Sequence, residues 1–237
     1  MKKVLILLVI ILTTSITFDA IAQQLLNPSS SFSERKTAYF TMKDGSKVEA
    51  NIVRISYKKG QINELKLKNA EGKKIKLTPA DIKSMYLPQS AMEKLSQLDK
   101  FMSDATMWKS DSLDNQKISN GYVYFESTDV QMGKKTRKFL MQILNPAFSS
   151  KVKILNDPFS SETASLGIAG VKLAGGDLKS YYFKKGNQVA YLLRKKDYKK
   201  QFKEIWSDCP ALIEKYVENP NWTDLAKHVY EYSNQCK

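Results

Sequence analysis

Hydrophobic positions change rhythm several times along this chain, and each rhythm predicts a different element. Val4 to Leu12 is an unbroken apolar run, softened by Thr and Ser residues as far as Phe18. Between Thr37 and Leu87 apolar and polar positions alternate: Val48, Ala50 and Ile52, then Ile62, Leu65 and Leu67, then Ile75 and Leu77. A period of two is the pattern of a half-buried strand. Lys43-Asp44-Gly45 and Asn69-Ala70-Glu71-Gly72 supply the turns, with Gly available for positive φ. Thr78-Pro79-Ala80-Asp81-Ile82 reads as a short helical turn and Met85-Tyr86-Leu87 as a closing strand. Residues 37–88 are therefore expected to form a small bent β-barrel or sheet.

At Pro88 the period lengthens. Met92, Leu95, Leu98, Phe101 and Met102 recur at helical spacing, and Ser90 with Glu93 matches a capping box. Residues 89–117 are expected to be a helical connector followed by a polar loop. Strand patterning resumes at Tyr122–Glu126 and continues at Lys138–Leu144 and Lys151–Leu155. A Ser- and Gly-rich stretch, Asn156 to Asp177, reads as a mobile connection. Leu178–Lys184 and Gln188–Arg194 flank Gly186-Asn187 and predict a hairpin. Asp197 is expected to cap a helix carrying Tyr198, Phe202, Ile205 and Trp206. Pro210 opens a second helix, Asn219-Pro220-Asn221 ends it, and Leu225, Val229 and Tyr232 mark a third. The fold class is α+β: an N-terminal bent β unit, a connecting helix, and over 118–237 an antiparallel sheet followed by a helical tail.

The first apolar run has its own meaning. Lys2 and Lys3 precede it, and Ala20-Ile21-Ala22 gives the small-x-small pattern read by a signal peptidase. Residues 1–22 are expected to be a signal peptide cleaved between Ala22 and Gln23. The run is shorter than the roughly 20 residues that cross a hydrocarbon core. No Cys follows Ala22 to accept a lipid. Polar, Ser-rich residues 23–36 read as a flexible leader. The expectation is a soluble exported protein, periplasmic or secreted, without a transmembrane segment in its mature part.

Composition then narrows the chemistry. The hydrophobic share of 42% is enough to build a core, so extensive disorder is not expected. The formal charge is +14, of which Lys2, Lys3 and Asp19 account for +1, leaving +13 after cleavage. Lysine pairs carry much of it, among them Lys184-Lys185, Lys195-Lys196 and Lys199-Lys200, the candidate contacts for a polyanion. A solvated lysine surface that only aids solubility is the plainer alternative. Cys209 and Cys236 are the only cysteines, and an even pair in an oxidising compartment predicts a disulfide. Closing that loop would contribute about 3 kcal/mol in the chain-entropy account.

Several pieces occur together: the exported leader, the Asp44-Gly45 β segment ending in Thr78-Pro79-Ala80-Asp81-Ile82, and the Tyr181-Tyr182-Phe183-x-Lys185-Gly186 hairpin. Phe202, Asp208-Cys209-Pro210-x-Leu212 and Tyr232-x-x-x-Cys236 close the series. In that order they resemble uncharacterised secreted proteins common in Bacteroidota. The resemblance implies localisation and fold, and no activity, substrate or catalytic residue.

Catalytic patterns are sparse. His228 is the only histidine, and no Gly-x-Ser-x-Gly elbow accompanies it, so a helix-surface or interface position is expected for it. Ser33-x-x-Lys36, Ser56-x-x-Lys59 and Ser150-x-x-Lys153 lack the companion motifs of penicillin-recognising enzymes. Gly167, Gly170, Gly175 and Gly176 approach a phosphate loop, and the Gly170 to Gly175 spacing fits, but Gly176-Asp177 replaces the Lys-Ser/Thr end. One histidine and two paired cysteines leave no set for a zinc site. Asp111 and Asp114 do not make a calcium loop. Tyr181-Tyr182-Phe183-Lys184-Lys185 could stack a polymer's rings, though a strand with buried aromatics is the simpler account. Asp111-Ser112-Leu113 matches a short O-glycosylation acceptor.

The leading expectation is thus a non-catalytic binding or structural protein of the cell envelope, with no cofactor. The runner-up is a polyanion-binding module for lipopolysaccharide, acidic glycan or nucleic acid. A hydrolase with an unlocated carboxylate pair ranks third.

Overall fold

The computed structural model describes residues 24–96, 113–160, 165–168, 171–175 and 178–236. The signal segment with its Ala22–Gln23 junction, and Asp111-Ser112 of the glycosylation motif, lie outside the described residues.

The alternating N-terminal pattern forms five antiparallel strands: β1 (Thr37–Met42), β2 (Lys47–Lys58), β3 (Gln61–Lys68), β4 (Lys74–Leu77) and β5 (Ile82–Pro88). Gly45 takes φ +87° at the first turn, which is why Asp-Gly is read there. The sheet does not stop at residue 88. β6 (Tyr122–Met132) pairs with β5, and β7 (Lys135–Gln142) pairs with β6, giving the order β4-β3-β2-β1-β5-β6-β7. Register shifts between Ile52 and Arg54 and between Ser56 and Tyr57 bend β2 against β3. The inner face then closes on itself: Ile62 and Leu65 of β3 share one apolar cluster with Phe125 and Leu140 of β6 and β7. Alternation therefore reports a strongly bent seven-stranded sheet.

A second sheet has three strands, in the order β12-β11-β8. They are β8 (Val152–Leu155), β11 (Ser180–Lys185) and β12 (Tyr191–Arg194). The predicted hairpin joins β11 to β12, with Gly186 at φ +52° in its turn. This small sheet is a middle layer, because both faces are buried. Tyr181 and Phe183 point to the helices, and Tyr182 points to Val130 and Met141 of the large sheet. Between β8 and β11, the glycine-rich stretch read as a mobile connection carries two paired strands, β9 (Ser165–Ile168) and β10 (Val171–Gly175). Their period-two alternation of Leu166, Ile168, Val171 and Leu173 outweighs the glycines.

Five α-helices are described: α1 (Ala91–Ser96), α2 (Asn115–Ser119), α3 (Lys195–Ile205), α4 (Pro210–Tyr216) and α5 (Leu225–Gln235). α1 begins where the periodicity places it, and Ser90 Oγ accepts from Glu93 N at 3.3 Å. α2 falls in the segment read as a polar loop. Asp114 caps it by accepting from Lys117 N at 2.9 Å, and Ile118 is its single buried residue. One apolar residue in five leaves no period to detect. α3 starts at Lys195, two residues before the Asp197 expected to cap it, and Asp197 lies in its first turn. Pro210 occupies the first turn of α4 as predicted. Tyr198, Phe202, Trp206, Leu212, Val229 and Tyr232 pack on the small sheet in the largest apolar cluster.

The segment read as a flexible leader is held on the body. Leu26 is buried and its N–H donates to Leu144 O at 2.7 Å. Ser29 N donates to Gln142 Oε1 at 3.0 Å, and Ser33 N to Pro88 O at 2.8 Å. Serine-rich composition reports local freedom, whereas these bonds go to partners distant in sequence.

Candidate functional site

The six lysines expected to contact a polyanion divide into two groups. Lys184 and Lys185 lie on β11, inside the structure. Lys184 stands directly across from Lys153 of β8, and Glu126 of β6 reaches between them. Its Oε2 lies 2.5 Å from Lys153 Nζ and its Oε1 3.7 Å from Lys184 Nζ. Lys185 Nζ donates to Asp208 Oδ1 at 2.5 Å and to Ile205 O at 2.9 Å, and sits 4.5 Å from the centre of the Tyr232 ring. Tyr232 OH donates to the other oxygen, Asp208 Oδ2, at 2.6 Å. Burial raises the Asp208 pKa, but the hydrogen bonds from Lys185 and Tyr232 outweigh it and hold the carboxyl below its ordinary value. Lys185 is thus paired one to one with Asp208, while Lys184 shares the single carboxylate of Glu126 with Lys153.

Lys195, Lys196, Lys199 and Lys200 are all on α3. Lys196, Lys199, Lys200 and Lys203 are exposed. Their spacing is i, i+3, i+4, i+7, so they line one face of the helix. Lys195 is half-buried at the helix start. The face beside them carries Tyr198, Phe202 and Ile205, all buried, which fixes the helix in rotation and turns the lysines outward. Among the described residues no carboxylate lies within 4.0 Å of any of these lysines. Arg194 and Lys179 extend the patch beyond the first turn: both are exposed, and Lys195 N donates to Lys179 O at 2.9 Å. Lys203 was missed by reading lysine pairs; the helical period of the same segment is the signal that finds it.

The aromatic ladder beside the lysines is not a stacking platform. Tyr181, Tyr182 and Phe183 are 6%, 5% and 1% exposed, so no polymer base or sugar reaches them.

His228, read as a helix-surface or interface residue, is instead sealed in the helical core, where the rings of Tyr198, Phe202 and Tyr216 close over it. Its Nδ1 shares a 2.8 Å hydrogen bond with Tyr198 OH, and the Tyr216 ring lies 4.4 Å away, centre to centre. Burial lowers its pKa from 6.5 to about 4, against the opposing pull of Asp224 and Glu231. A neutral imidazole with no access to solvent is a packing residue. None of the Ser-x-x-Lys pairs lies within a described helix, where the spacing would align Ser with Lys. Ser56 and Lys59 straddle the end of β2, and Ser150 and Lys153 the start of β8. Among the described residues, no group of three or more His, Cys, Asp or Glu side chains could hold a metal ion.

The disulfide read from cysteine parity is formed, joining Cys209 at the start of α4 to Cys236 at the end of α5. No described helix is long and apolar enough to cross a membrane. No known family, curated protein or solved structure matches this chain.

Proposed function

We propose that this is an exported, non-catalytic binding protein of the cell envelope that holds a polyanion on the lysine face of α3. The observation that carries this reading is the row Lys196, Lys199, Lys200, Lys203, exposed along one face and anchored behind by Tyr198, Phe202 and Ile205. A rigid helix with four outward cations over two turns matches closely spaced sulfates, phosphates or carboxylates on an extended chain. Export is supported by the leader sequence and by a disulfide of the kind that persists in oxidising compartments.

Heparin serves as the test polyanion. Binding by counterion release predicts a linear fall of log affinity with log salt, about one unit of slope for each lysine engaged. Lys196→Gln, Lys199→Gln, Lys200→Gln and Lys203→Gln together should lower the slope by about three to four. A wild-type protein that leaves heparin at low salt, or a quadruple variant with an unchanged slope, contradicts the proposal.

A further inference from the structure

A cleft of about 870 Å³ shares no lining residue with the lysine row of α3. One wall is the docked leader, Asn27 to Ser31. The tip of the β2–β3 hairpin, with Tyr57 and Gln61, forms a second wall, and Asn156 to Ser160 a third. The end of β7, Leu140 to Gln142, is the floor. In a chain with 38 Lys and Arg residues, the described lining contains neither; its charged members are Glu93 and Asp157. Among the described lining residues, then, an anionic ligand finds no cationic side chain.

Two polar side chains in the floor and the third wall are fixed in place. Gln142 is 2% exposed. Its Oε1 accepts from Ser29 N at 3.0 Å, which sets the orientation of the amide, and its Nε2 meets no acceptor among the described residues. An unpaired buried amide N–H₂ is costly unless something accepts from it. Asp157 is 6% exposed and held by Phe159 N at 3.1 Å and Ser180 Oγ at 2.6 Å, so both oxygens are fixed while each retains a lone pair. The two residues are neighbours in space, since Asn156 N donates to Gln142 O at 3.0 Å. That bond, together with Leu26 N to Leu144 O, engages the backbone here, so a peptide cannot add as an extra strand. Recognition falls to side chains: a fixed amide donor, a fixed carboxylate acceptor, and the half-exposed ring of Tyr57 on the wall.

We infer that this cleft is a binding site for a neutral oligosaccharide, whose hydroxyl or amide groups pair with Gln142 and Asp157 while a ring packs on Tyr57. It shares no lining residue with the α3 lysine row and is independent of the polyanion reading. The test uses ligand-detected NMR and protein-observed NMR of the 15N-labelled full chain, with chitohexaose, maltohexaose and cellohexaose as probes and an uncharged glycine-serine peptide as comparator. At least one oligosaccharide should bind at millimolar concentration and shift the Gln142 side-chain amide resonance. Gln142→Leu should weaken it by about tenfold, the value of one lost hydrogen bond. Gln142 also holds the leader, so Tyr57→Ala, at an exposed position, is the second variant and should weaken binding about fivefold. The quadruple α3 variant should bind the sugar as the wild type does. Failure of all three oligosaccharides, binding of the peptide alone, or sugar binding unaffected by both cleft variants overturns the assignment.

Discussion

At the scale of single residues, burial decides what each candidate group does. His228 illustrates this most clearly. Its folded pKa is depressed to about 4 from 6.5, so between those values the unfolded chain takes up a proton that the folded chain refuses. Stability is therefore full above pH 6.5 and falls as pH drops toward 4, by about 3 kcal/mol from this residue alone. Urea unfolding across that window should show the loss, and His228→Gln should flatten it. Glu126 presents the complementary case. It sits between Lys153 and Lys184, which face each other on neighbouring strands. Glu126→Gln leaves two partly buried cations side by side and should cost about 2 kcal/mol by chemical denaturation. Neither role was legible in the sequence. A lysine pair looks the same whether its partner is solvent or a carboxylate, and Glu126 and Asp208 are brought to Lys184 and Lys185 only by the folded topology.

Elements with local causes were the legible ones. The β11–β12 hairpin rests on Gly186 and on alternation either side of it, all within the segment itself. α4 follows Pro210 for the same reason. The Cys209–Cys236 bridge could be read from parity, and the structure adds that it clasps the start of α4 to the end of α5. With the cysteines 27 positions apart, replacing both by Ala should lower unfolding free energy by about 3 to 4 kcal/mol, read as a shift in denaturant midpoint. The docked leader had no such local cause. Its bonds run to Pro88, Gln142 and Leu144, and a serine-rich stretch does not announce partners over 50 residues away. α3 lies between these cases: its buried face was visible from Tyr198, Phe202 and Ile205, but its lysine face emerged only once pairs were placed on the helical period.

At the scale of the whole molecule, the large sheet, the small sheet and the C-terminal helices stack as three layers. The bent seven-stranded sheet contributes to the cleft that Glu93 and Asp157 line, the small sheet lies in the middle, and the helices carry the lysine row. Sheet order was not in the sequence, because β6 and β7 join a sheet whose first five strands end more than 30 residues earlier. Net charge alone points to no particular part of the surface; the proposed site is the one helix on which four exposed lysines share a face. The central claim is therefore positional. Its most direct measurement compares heparin affinity for two variants of equal charge. One carries Gln at Lys196, Lys199, Lys200 and Lys203. The other carries Gln at Lys47, Lys73, Lys74 and Lys134, which are exposed elsewhere. A much lower elution salt for the α3 variant, with the second close to wild type, is the predicted result; equal shifts for both would contradict a dedicated site on α3.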